Sequence, residues 1–237
     1  MSGPLDRRAA AILLTPLTLA LLAIPVAGRW LFLFAAPLPL WPLFASSVRA
    51  ADYRRALLAS LAWAALLSAS VVTFVQLSPD AAAATIVRGE VYRVEMFRWI
   101  STGVGPENDP RQFLPSHAGH LALFAALSLV SGGYLGLVLG AGLTSYMSFF
   151  VGSFALAADA PLLGALVAWV PWSVVRVVAF VALGTILAKP LLTRRRDAIG
   201  RREWSWIGAA LVGIVLDVLL KTLLAPSYGL FLRGWLD

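Results

Sequence analysis

From Leu121 to Ala158 the chain carries no charged residue. Drawn out as one helix, that stretch would run about 57 Å, nearly twice the ~30 Å hydrocarbon core of a bilayer. It therefore reads as a hairpin of two antiparallel crossings. The rest of the sequence agrees with a lipid solvent: 60% of the 237 residues are hydrophobic and 13% charged, where soluble domains average about half and about a quarter. With a mean hydropathy of +0.83, too few polar residues remain to cover a water-facing surface.

Other apolar runs of spanning length flank the hairpin. Ala9 to Gly28 follows Arg7 and Arg8, and Trp30 to Val48 carries Pro37, Pro39 and Pro42. Prolines leave carbonyls without helical partners, and such backbone is tolerated at membrane depth only against protein, so this second segment either spans or re-enters. Ala56 to Leu77 is a plainer span. Pro161 to Ala188 contains Arg176, and Trp204 to Leu224 contains Asp217 and Lys221. The expected fold is all-α: a polytopic transmembrane helical bundle of six to seven spans, forming one integral membrane domain over residues 1–237.

Basic residues set the expected orientation. Arg7 with Arg8, then Arg49, Arg54 and Arg55, then Lys189 with the arginines at 194, 195, 196, 201 and 202 fall at alternate ends of successive spans, hence on one side. The positive-inside tendency makes that side cytoplasmic, in a bacterial-type inner membrane, with a cytoplasmic N-terminus, a basic cytoplasmic loop over 189–203 and an extracytoplasmic C-terminus. The N-terminal run resembles a signal peptide but is long enough to be kept as an uncleaved anchor.

Residues 78–119 then form an extracytoplasmic segment. Ser78, Pro79 and Asp80 signal a helix start, and Gly103 a stop. A helix to Ile100 would place Val91, Val94, Met96, Phe97, Trp99 and Ile100 along the bilayer surface as an amphipathic interfacial element. Trp30, Trp99, Trp204, Trp206 and Trp235 fall where headgroups are expected, as amphipathic rings prefer.

Several chemistries are excluded. The chain has no cysteine, which removes disulfides, thiolate metal sites and thiol nucleophiles. Its net charge of +7 comes from short clusters beside apolar runs rather than a broad basic face, so nucleic acid is not an expected partner. No nucleophile elbow, phosphate loop, dinucleotide fingerprint or calcium loop occurs, and no cofactor is implied.

Three constellations remain. Small residues recur every four positions at Ser128, Gly132, Gly136, Gly140, Thr144, Ser148 and Gly152, a pattern that lets helix backbones approach in lipid. Arg176, buried in its span, needs a partner; counted from the outer helix ends it differs in depth from Asp217 by about 7 Å, within an arginine's reach, with Lys221 one turn along and able to share the same carboxylate. His117 and His120 share a helix face three residues apart, near Glu95, Glu107 or Asp109, and are weak candidates for a metal or acid–base site lacking a spaced third ligand.

The function expected from these features is an accessory, assembly or transporter-component subunit, packing through its glycine-rich hairpin against a second copy or another membrane protein in the bilayer. A small-solute or ion permease using Arg176, Asp217 and Lys221 is the alternative. A membrane-surface enzyme using His117 and His120 is a third.

Overall fold

The computed structural model describes residues 28–195 and 197–236. Most of these are helical, with no strand among them. In chain order the helices are α1 (Gly28–Ala35), α2 (Trp41–Arg49), α3 (Tyr53–Leu77), α4 (Pro79–Thr85), α5 (Gly89–Thr102), α6 (Pro110–Ser131), α7 (Tyr134–Ala157), α8 (Pro161–Ala168), α9 (Pro171–Leu187), α10 (Lys189–Thr193) and α11 (Arg201–Arg233). Five stretches are long and apolar enough to cross a membrane: α3, α6, α7, α9 continued through α10, and α11. The apolar run Ala9 to Gly28 lies, apart from its last residue, outside the described residues.

Proline decides where the expected spans break. Residues 36–40, with Pro37 and Pro39, form turns between α1 and α2. Each of these helices extends only about 12–14 Å, so neither crosses alone. In series they run from Arg29, which donates to the Ala84 carbonyl at 2.8 Å, to Arg49 beside Leu192. The break is kept from lipid by protein: Trp63 donates its indole N–H to the Ala36 carbonyl at 3.0 Å, and Leu40 is fully buried. The run from Pro161 to Ala188 is likewise two helices, because Pro171 cannot continue α8 and Trp169 and Val170 turn extended before it.

The hairpin turns at Gly132 and Gly133, both with positive φ (61° and 95°), a conformation that costs little only without a side chain. A Cβ on Gly133 would stand 2.7 Å from the Phe44 ring. Successive spans therefore alternate between two ends. One end, called here the basic end, gathers the start of α3, the hairpin turn, α10 and the start of α11. It is tied by Glu203, which accepts from the Tyr53 hydroxyl and from Lys189 Nζ (2.6 Å), and by Arg49, whose Nε donates to the Leu192 carbonyl at 3.2 Å.

At the opposite end, the loop end, the segment expected as one helix from Ser78 to Ile100 is two, broken where Arg88 adopts φ 63°. The apolar residues of α5 are divided. Val91 and Val94 stay exposed, whereas Met96, Trp99 and Ile100 are buried against α7, α9 and α11. Trp99, expected among headgroups, is fully buried and donates to Asn108 Oδ1 at 2.7 Å. The helix caps the bundle through this face, since three large side chains lose contact with solvent more completely inside protein than at an interface.

Candidate functional site

The small-residue stripe turns inward. Ser128 lies on α6 and Gly132 in the turn, so the remaining members start a new helix, α7. Ser128, Thr144 and Ser148 are buried. A Cβ on Gly136 would overlap Ser128 Oγ at 2.2 Å, and one on Gly152 would stand 2.8 Å from Val75 Cβ. The stripe lets α7 close on α6 and α3, and these helices occupy it.

A separate close approach, of α9 on α11, brings charge together. Arg176 sits on the second turn of α9, not in the middle of a longer span, and Asp217 lies at the centre of α11, because α11 runs on to Arg233. The guanidinium grips the carboxylate by two bonds, Nε to Oδ2 at 2.8 Å and Nη2 to Oδ1 at 2.9 Å. Parallel geometry of this kind is among the stronger arrangements available to a buried pair. Gly213 permits it one turn away: a Cβ there would be 3.0 Å from Ala179 Cβ, so α9 and α11 are nearly in backbone contact.

Lys221 does not share the Asp217 carboxylate. Its Nζ donates to Glu107 Oε1 at 2.8 Å, and Trp172 donates its indole N–H to Glu107 Oε2 at 3.1 Å. Glu107 comes from the glycine- and proline-rich connection between α5 and α6, which folds into the bundle end and buries it. The Lys221 ammonium also lies 4.5 Å from the centroid of the Phe113 ring. Two cations and two carboxylates are thus fully paired.

His117 approaches the first pair, Nε2 to Asp217 Oδ2 at 3.8 Å. Both of its ring nitrogens are buried without a hydrogen-bond partner among the described residues. It lines, with His120, Tyr92, Tyr146, Ser116, Arg176, Lys221 and Glu107, a chamber of about 140 Å³ that reaches Arg88 and Glu95 at the surface. Burial pushes the Tyr92 hydroxyl well above the usual phenol range, so it stays a neutral donor. No group of three or more histidine, aspartate or glutamate side chains among the described residues is placed to hold a metal ion. Asp109 instead caps α6, accepting from the Arg111 amide at 2.9 Å.

No protein-family model, curated protein or solved structure matches the chain.

Two further cavities adjoin the chamber. His117, His120, Tyr146, Met147 and Arg176 also line a central cavity of about 60 Å³ between α3, α6, α7 and α9. Phe124, Leu137 and Val181 lead from there to a third of about 10 Å³, beside Ser128, Gly133 and Thr185 near the hairpin turn. Phe124 and Phe180 stack obliquely, 5.1 Å between centroids, at the narrowing.

Sequence reasoning missed Tyr92, Tyr146 and Trp172, and it named Glu107 beside the histidines without its pairing to Lys221. A glutamate between Pro106 and Asn108 carries the local signature of a solvated loop. Charge balance was the available signal: the spans hold Arg176 and Lys221 against Asp217 alone, and a second buried cation requires a second carboxylate.

Proposed function

We propose that the protein is a permease for a small polar solute or ion, with the chamber as its binding site. What carries this reading is the axial series of three cavities, charged at the loop end and narrowing past Phe124 toward the basic end. A scaffold has no use for polar volume inside lipid, where each charged group is costly unless it serves a ligand or a path. Paired charges keep the resting site neutral, and the unpartnered nitrogens of His117 supply the hydrogen bonds that a passing group needs.

In this reading the protein sits in a bacterial-type inner membrane with the basic end cytoplasmic, as the arginine distribution favours. Partner docking through the glycine stripe loses its appeal, because α3 and α6 already fill that face. A second copy or another membrane protein would have to use the lipid-facing sides of α6 and α11, where Leu123, Val130, Leu219 and Leu223 are exposed. The enzyme reading keeps one specific support: the two histidines face the same chamber as Arg176 and Lys221.

Flux in proteoliposomes tests the proposal, with proton movement followed by an internal pH dye and chloride or sodium by electrode. His117→Ala with His120→Ala should lower the flux about tenfold, the effect of losing roughly 1.4 kcal/mol at the site. Phe124→Ala should raise it by widening the narrowing. Wild-type liposomes no leakier than protein-free ones to all three ions would remove the ion reading, and flux indifferent to both variants would remove the chamber as its route.

A further inference from the structure

We propose that the site is reached from the lipid as well as from water: the groove between α3 and α8 holds the apolar tail of a membrane amphiphile whose head enters the chamber sideways. This rests on the reading of the chamber as a substrate site. The groove, about 800 Å³, is mostly apolar, walled by Leu61, Ala65, Ala69 and Val72 of α3 and by Ala165 and Trp169 beyond it, with Ser68, Thr73 and Gln76 of α3 as polar members. It exists because of the break at Trp169 and Val170. The eight-residue α8 folds back on α7, where a Cβ on Gly164 would stand 2.8 Å from Ala158 Cβ, and so leaves the loop-end half of α3 without a full-length neighbour on that side among the described residues.

Adjacency to the polar interior, across a wall one side chain thick, distinguishes this groove from an ordinary lipid-facing surface. Ala64, Thr144 and Val177 line both the groove and the central cavity, and the central cavity in turn shares His117, His120 and Arg176 with the chamber. The three portal residues are small or slender, and the polar one, Thr144, stands between the apolar groove and the polar interior. A tail lying against α3 thus has its head a short step from the imidazoles.

Charge selects the head. Arg176 is paired with Asp217 and Lys221 with Glu107, so the chamber presents hydrogen-bonding groups over a balanced floor. That suits a zwitterionic or uncharged head better than a multiply anionic one. Lipid tails are as apolar as the groove, so the tail itself gains little by moving there. Residence in the groove must come from the head's hydrogen bonds, and this makes the proposal separable from nonspecific lipid contact.

The probe is a phosphatidylethanolamine carrying a photoactivatable, alkyne-tagged tail, presented with the full chain in nanodiscs, with labelled peptides mapped by mass spectrometry. Groove positions on α3 and α8 should be labelled about fivefold over the lipid face of α11 at Leu219 and Leu223, an excess worth roughly 1 kcal/mol of selective residence. His117→Ala with His120→Ala should bring that ratio to about one while the detergent melting temperature holds, and Ala69→Trp, which fills the groove, should do the same. Equal labelling of the two faces, or groove labelling indifferent to the histidine pair, means bulk lipid only and overturns the inference. So does a disulfide formed in the double variant Ser68→Cys, Leu17→Cys, which would mean that the chain covers its own groove. If ion flux still depends on the histidines while groove labelling does not, only this inference fails; flux indifferent to them removes the underlying reading.

Discussion

Arg176 and Asp217, 41 positions apart, are joined by two parallel hydrogen bonds of 2.8 and 2.9 Å at the centre of α11. A pair this deep is not a decoration of the bundle. Removing one member strands the other in a medium that cannot solvate it, at a cost of about 3–5 kcal/mol, whereas replacing both by apolar residues of similar volume is often neutral.

Asp217→Asn and Arg176→Met should therefore each lower the yield of monodisperse protein and its melting temperature in detergent, and the double variant Arg176→Met, Asp217→Leu should recover most of the loss. Fluorescence-detected size exclusion with a temperature ramp reads this directly. A double variant as unstable as the worse single would mean that the pair is not an isolated unit.

Glu107 makes a different prediction, because it joins the connection at 103–109 to two helices at once. Glu107→Gln keeps the shape and removes the charge opposite Lys221. Limited proteolysis should then cut between Gly103 and Asp109, where the wild-type chain resists, and Lys221→Met in the same chain should restore resistance.

Gly152→Leu should destabilise the protein by about 1–3 kcal/mol through overpacking against Val75 and the Val72 carbonyl. Gly136→Leu should do likewise, by disrupting the fold rather than an association. Gly208→Leu, where nothing lies within 4 Å, is the matched control and should be silent. Melting temperatures of the three variants decide the matter.

The absence of cysteine makes orientation easy to test. With the basic end cytoplasmic, Val104→Cys should react with an impermeant maleimide in intact spheroplasts, and Asp197→Cys only after permeabilisation. Both positions are exposed. The reverse pattern would invert the proposed topology.

Hydropathy made the helical class and the hairpin legible, since charge-free length is a property of the sequence alone. Helix ends were less so. Pro171 was visible, but whether a proline kinks a span or ends one depends on what satisfies the freed carbonyls, and that is decided by neighbours such as α7 and α11. The depths assigned to Arg176 and Asp217 shifted for this reason. The break before α9 put Arg176 near the start of its helix, and the extension of α11 to Arg233 put Asp217 at the centre of its own. The chamber was half readable: its cations and histidines lie in apolar segments where they stand out, while Glu107, Tyr92 and Tyr146 are ordinary residues until the chain folds them inward.

Glu107 and Lys221 are separated by 114 positions, and the carboxylate is synthesised first. While the ribosome is still making α11, the connection that carries Glu107 has no ammonium to meet and stays with water. It seats against Lys221 only once α11 is in place, so closure of the loop end reports that α11 has inserted, and a chain truncated before Lys221 should remain open to protease at that point.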